Sequence, residues 1–411
     1  MSRLIPEPCV PSHQLGINQP PRAAYIHVPF CRHRCGYCNF TLVAGREDLI
    51  GDYLQALESE LAGKVGSAHR LTKEPHLSLV GSAHPKRYEV DTLYFGGGTP
   101  TYLDDQQFRT LASTALQWHP LANDYEWTVE ANPADIVARL IETLDELGVN
   151  RLSLGGQSFR AEKLQLLERD HNPEDVHEAI RLARRAEMDV ALDLIFATPG
   201  ETLDQWAADL EAAIELEPDH VSTYGLTFER GTSFWSRRLR VDLIEVDEDL
   251  QREMYALAID RLTAAGFEHY EISNFAQPGH RSRHNQVYWS GEGYFAYGPG
   301  AARYIQGVRE TNHRSTTTYL QRVLLGESPV ADREELPPEA RARELLIFSL
   351  RRMEGISRRQ FRNRTGFEIG DLIAPQLQKL TELELLADDG EQIRLTRKGI
   401  FVSDAIWPEL L

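Results

Sequence analysis

Cysteine is scarce in this chain, with four residues in 411. So few exclude a disulfide-dense secreted framework, which belongs to far shorter chains. Basic residues are also outnumbered: Lys and Arg total 44 against 62 Asp and Glu, a formal charge of −18. A surface that acidic argues against sequence-independent nucleic-acid binding, which rests on basic neutralisation of phosphates. It leaves room for a local basic pocket. No apolar run reaches the roughly 20 residues of a bilayer span, so no transmembrane segment is expected. Residues 1–21, MSRLIPEPCVPSHQLGINQPP, hold no continuous apolar stretch and little arginine. Neither a secretory signal nor a transit peptide is expected, and a cytoplasmic location with reduced thiols follows. The rest is ordinary for a globular protein, with 42% hydrophobic and 26% charged residues. That supports a large core and two or three domains.

Three segments are expected: a loose proline-rich arm over 1–22, a main domain over 23–330 and a small helical domain over 331–411. In the main domain short apolar runs alternate with helical patterns. Strands are predicted over 24–28, 92–95, 127–130, 151–154, 191–196 and 221–226. In the first helix Leu49, Ile50, Tyr53, Leu54, Leu57 and Leu61 share one face. Further helices are predicted over 104–117, 134–147, 173–187 and 202–216. Six repeats of strand and helix mean parallel strands with crossover helices, a partial (β/α)6 barrel of TIM type. Residues 65–90 hold VGSAH twice, at 65–69 and 80–84, and read as an inserted loop. Near the end, 392–395 reads as a strand and 395–399 (LTRKG) as a winged-helix-type turn, with a lid or docking role rather than DNA binding.

Most of the chemical information sits just after the first strand. Cys31, Cys35 and Cys38 follow a C-x3-C-x2-C spacing, at the strand end where barrel enzymes gather their chemistry. Three thiolates can converge on one centre, and thiolates suit iron–sulfur clusters and zinc. Structural zinc wants four ligands, which only Cys9 or a histidine such as His33 could complete. An iron–sulfur cubane with three cysteines keeps one iron open. A buried cysteine stripe on a helix is a poor fit beside Pro29 and Gly36.

The stretch YIHVPFCRHRCGYC (25–38) resembles the radical S-adenosylmethionine (SAM) enzymes. Its flanks resemble the branch that holds oxygen-independent coproporphyrinogen III oxidase and its relative, the haem chaperone. The resemblance runs from about residue 23 to the C-terminus. It implies a [4Fe–4S] cluster on Cys31, Cys35 and Cys38, with SAM chelating the open iron. It also implies one-electron chemistry supplied by the cofactors. Gly97, Gly98 and Thr99, in the run DTLYFGGGTP, match the motif for the SAM amino group. Glu130 matches the carboxylate for the ribose hydroxyls. Gln157, Arg169 and Asp193 match further SAM contacts, as do Tyr25 and Tyr37. A plain ion pair inside the barrel is the alternative for Asp193.

Within that branch two activities compete. The oxidase motif continues with a fourth cysteine two residues after the third, where this chain has Phe40. The oxidase also carries a longer N-terminal region. The run His284-Asn285-Gln286-Val287-Tyr288-Trp289 resembles the H-N-x-x-Y-W motif of the chaperone side. That makes His284 a candidate haem contact and His280 a rival. The expected function is a cluster- and SAM-binding haem chaperone that passes haem to an acceptor protein. Its expected electron donor is a flavodoxin or ferredoxin. The alternative is the radical oxidative decarboxylation of coproporphyrinogen III, and enzymatic turnover is left open.

Overall fold

The computed structural model describes residues 20–63 and 87–411. Cys9, most of the expected arm and both VGSAH copies of the expected insertion lie outside the described residues. Six parallel strands form the frame: β1 (Ala23–Val28), β2 (Val90–Gly97), β3 (Leu121–Ala131), β4 (Arg151–Gln157), β5 (Asp189–Phe196) and β6 (His220–Gly225). Each pairs in parallel with the next. Helices α1 (Ile50–Leu61), α2 (Asp105–Trp118), α3 (Ala138–Leu147), α4 (Pro173–Arg185) and α5 (Leu203–Glu215) return the chain, and α6 (Glu248–Ala264) follows β6.

Local chemistry fixes the helix starts. Asp104 with Gln107, Asn172 with Asp175, and Thr202 with Gln205 each form a reciprocal cap at the head of α2, α4 and α5. Such a cap satisfies backbone donors that the first turn leaves unpaired. The third helix begins at Ala138 rather than at the predicted 134. Pro133 starts a separate short turn, and Val137 is extended at φ −126°, ψ 158°.

The sheet extends beyond the six predicted strands. Strands β7 (Glu268–His269) and β8 (Asn274–Ala276) form an antiparallel edge on β6, and β9 (Phe295–Tyr297) lies parallel to β1. At two or three residues each they carry no readable periodicity. Nine strands run in the order β9-β1-β2-β3-β4-β5-β6-β8-β7, and the two ends share no ladder. The barrel is therefore open.

Period-two alternation sorts the side chains. Phe95, Trp127, Val129, Leu152, Leu154, Leu192 and Leu194 are fully buried beneath the helices, each worth about 1.5–3 kcal/mol of burial. The intervening residues Thr128, Ser153, Asp193 and Ser222 face inward and line a cavity. A closed barrel packs this space with branched apolar side chains. Small polar residues leave it hollow here.

A second antiparallel sheet, β10 (Ala302–Ile305), β11 (Val308–Asn312) and β12 (Val330–Glu335), precedes the C-terminal helices. Beyond Pro338 the chain forms helices and the small sheet Ile356–Ser357, Gln392–Leu395, Leu386–Asp388. The strand expected at 392–395 is present. The winged-helix-type turn is not at 395–399: Thr396 caps a short helix, Arg397–Ile400, and the turn joins the strands at 389–391. Arg397 pairs with Asp260 at 2.7 Å and Lys398 with Glu384 at 3.6 Å. Among the described residues no helix is long and apolar enough to cross a membrane.

Candidate functional site

Immediately after β1, Phe30–Cys31 pairs with Val43–Ala44 and closes the cysteine segment into a loop. A turn from the Cys38 N–H to the Cys35 carbonyl (3.1 Å) shapes it. Arg34 donates to the Leu42 carbonyl at 2.9 Å, and the Phe234 N–H donates to the Gly36 carbonyl at 2.9 Å. The loop rims a cavity of about 700 Å³ that runs down the barrel axis, within the usual range for small-molecule and cofactor sites.

Cys31, Cys35 and Cys38 are free thiols lining this one cavity. Cys31 Sγ lies 3.4 Å from Thr99 Oγ1, and Cys35 Sγ lies 3.6 Å from Arg169 Nη1. Burial pushes the Cys31 thiol up to about 12, so a metal centre has to displace its proton on binding. The donor set fits an iron–sulfur cluster better than zinc. The three sulfurs do not all lie within 4.8 Å of one another. Ligands to one ion at a Zn–S distance of about 2.3 Å can be no more than about 4.6 Å apart. His33 does not complete a zinc set either, because its Nε2 is 2.5 Å from the Glu168 carbonyl.

The expected SAM contacts gather around the upper cavity. Gly97, Gly98, Thr99, Glu130, Gln157, Arg169, Asp193 and Tyr37 all line it. Gly97 sits at φ +110°, open to glycine at little cost. A Cβ on Gly98 would fall 2.6 Å from the Phe30 carbonyl oxygen. Glu130 accepts from the Gly97 N–H and from the Tyr94 hydroxyl, both at 2.8 Å. A carboxylate has about four lone-pair sites, so hydroxyls can still be received. Burial raises the Glu130 carboxyl to about 7. Arg169 donates to Asn132 Oδ1 at 3.0 Å and to the Gly155 carbonyl at 2.9 Å, which aims the guanidinium at Cys35. Asp193 has no ion-pair partner among the described residues, so the barrel ion pair considered for it is not formed. Burial pushes it up to about 6.

Two expected site residues lie elsewhere. Tyr25 is absent from the cavity lining. Its hydroxyl is 3.0 Å from His27 Nδ1, and its ring packs 5.9 Å from Tyr94. His284 is buried in α7 (Arg283–Trp289), which plugs the lower end of the barrel. Its Nδ1 is 2.8 Å from Thr92 Oγ1, its Nε2 2.8 Å from the Tyr288 hydroxyl, and its ring stacks on Tyr94. The Glu126 carboxylate accepts from the N–H groups of Arg283 and His284, at 2.8 and 2.9 Å. Both ring nitrogens are committed, so in this arrangement His284 is a packing residue and not an open ligand. His280 lies 3.1 Å from Asp189, outside the cavity.

Sequence reasoning missed the lower cavity, lined by Thr128, Arg151, Ser153, His220, Ser222 and Asn285 among others. The signal was there: residues two before Glu130, Gln157 and Asp193 share a sheet face with them. Phe40, 64% exposed, stands at the cavity rim.

Comparison with known proteins agrees with this geometry. Residues 25–213 match the model of the Radical SAM superfamily, and residues 336–402 match that of the HemN C-terminal domain. The "Heme chaperone HemW" of Bacillus subtilis (strain 168) is 32% identical over 392 residues, covering 95% of this chain and 99% of the relative. The protein of that name from Escherichia coli (strain K12) is 32% identical over 385 residues, 93% and 96% of the two chains. Among solved structures, coproporphyrinogen III oxidase (HemN) from Escherichia coli superposes with a TM-score of 0.79 at 22% identity, covering 97% of this chain and 92% of that one. That likeness is one of fold.

Proposed function

The chain belongs to the family of the heme chaperone HemW within the radical SAM superfamily, and on that premise we propose that it binds haem and hands it to an acceptor protein. The observation that carries this reading is 32% identity over 95% of the chain to relatives named for that role. Phe40, where the oxidase motif has its fourth cysteine, supports it from the sequence side. A cytoplasmic setting and a flavodoxin or ferredoxin as electron donor complete the proposal. So does a division into a barrel over 23–330 and a helical domain over 331–411.

Cys31, Cys35 and Cys38 would hold a [4Fe–4S] cluster, and Gly97, Gly98, Thr99, Glu130, Gln157, Arg169 and Asp193 would hold SAM. When bound, the cluster and SAM supply one-electron chemistry. The protein's own groups do the rest. Arg169 sets a positive charge beside Cys35, and bidentate recognition of a carboxylate is within its reach. The Glu130 oxygens receive hydroxyls, and Gly97 and Gly98 let a ligand approach the backbone. Tyr37 packs edge-on against Phe234, at 6.2 Å, and walls the site. We keep His284 as the haem contact to test, with one condition: α7 must open, because both ring hydrogen bonds have to be released first.

The deciding experiment is haem titration of the anaerobically reconstituted protein, with conversion of coproporphyrinogen III assayed on the same sample. Stoichiometric haem binding without conversion is expected. Conversion at catalytic turnover would sink the chaperone reading in favour of the oxidase.

A further inference from the structure

The cavity does not stop at the level of the cysteines. Arg151 and His220 are the first residues of β4 and β6, and both line it, as does Gln157 at the far end of β4. Six steps along a strand span about 20 Å, so the hollow reaches from the loop mouth to the floor of the barrel. Cross-strand register groups the floor. Thr128 pairs with Arg151, Ser153 pairs with Ala191, and Ala191 pairs with His220.

The floor has unspent hydrogen-bond donors. Arg151 is 2% exposed. Its Nη1 donates to the His280 carbonyl at 3.2 Å and lies 3.6 Å from the half-exposed Asp189. Its Nη2 has no partner. His220 is also buried, with Nε2 2.8 Å from the Tyr270 hydroxyl and Nδ1 unpartnered. Thr128 Oγ1 is unpartnered as well. Burial, and then the Arg151 charge, hold the imidazole neutral. A neutral ring has one N–H. If Tyr270 donates to Nε2, that N–H lies on Nδ1. Leaving a buried guanidinium N–H unmet costs about 1–3 kcal/mol or more. Water can satisfy the hydrogen bond but not the charge.

We propose that the barrel floor is a pocket for a small carboxylate, gripped by Arg151 Nη2 and His220 Nδ1–H with the hydroxyls of Thr128 and Ser153 beside them. It is separate from the upper cavity by position: its donors sit at the strand starts, whereas Glu130, Gln157 and Arg169 sit at or beyond the strand ends. A planar carboxylate suits the guanidinium fork. The depth admits a slender ligand and excludes a macrocycle, so the proposal stands or falls apart from haem binding.

The test uses succinate as probe on the anaerobically reconstituted full chain. The readout is the thermal unfolding midpoint, with sodium chloride at matched ionic strength as the control. A saturable rise with succinate and none with chloride is expected. In Arg151→Gln the half-saturating concentration should rise about tenfold or more. Ser153→Leu, which keeps Arg151 but fills the hollow, should abolish the response, and it serves if Arg151→Gln does not fold. No saturable rise in the wild type would overturn the proposal, and so would an unchanged titration curve in either folded variant.

Discussion

The two ends of the barrel, each singled out by a family-type motif, are built on opposite principles. At the mouth, the cysteine loop offers three free thiols to an open cavity, beside Thr99 and Arg169. At the base, α7 brings His284 into a closed set of partners: Thr92, Tyr288, and Tyr94 beneath its ring. A motif can be read from the sequence equally well in both places. Only partner accounting separates a group kept available for a ligand from one already used to hold the fold.

The sharpest way to break that contrast is at the mouth. Cys35→Ala should lose nearly all cluster iron while unfolding at close to the wild-type temperature. Retained iron, measured by chemical assay after anaerobic reconstitution, would remove Cys35 from the ligand set. At the base the order should invert. His284→Ala deletes a buried ring, leaves Thr92 and Tyr288 without a partner, and should cost about 2–4 kcal/mol in chemical denaturation. Its iron content should not change. An unaltered haem spectrum in this variant would move the haem contact elsewhere.

The two ends should also respond to pH in opposite directions. Glu130 is raised from 4.5 to about 7 by burial. Its contribution to stability is therefore present below pH 4.5 and lost as pH climbs through 7. His284 is lowered from 6.5 to about 3, again by burial. Its contribution is present above pH 6.5 and lost as pH falls toward 3. Stability measured against pH in the ligand-free protein should rise less steeply with pH for His284→Phe than for the wild type. For Glu130→Gln it should fall less between pH 4.5 and 7. Parallel curves for all three would contradict the burial argument. The smallest effect is expected at Phe40. Its exposed side chain should make Phe40→Ala neutral to within about 0.5 kcal/mol, with iron content preserved.

Much of this organisation was legible in advance. All six parallel strands lie where apolar runs between helical patterns put them, because strand–helix alternation is a strong periodic signal. The cysteine spacing and the glycines before Thr99 pointed to the mouth, and the structure gathers them on one cavity. Strands β7, β8 and β9 were not legible, being two or three residues long and specified by neighbours rather than by pattern. The placement of His284 was not legible either, since a motif says nothing about whether a ring nitrogen already has a partner. The floor donors Arg151 and His220 were overlooked although strand parity put them on the inner face. Attention went to the charge at Asp193 instead.

The unclosed sheet has a mechanical meaning. In a closed barrel every strand is clamped on both sides, and widening it means breaking ladder hydrogen bonds. Here β9 and β7 are free edges with no ladder between them. The wall can spread along that seam by sliding side chains alone, with the β1–β6 ladder intact. A flat, bulky guest would then enter from the side, like a card into a slot, rather than through the cysteine-rimmed mouth.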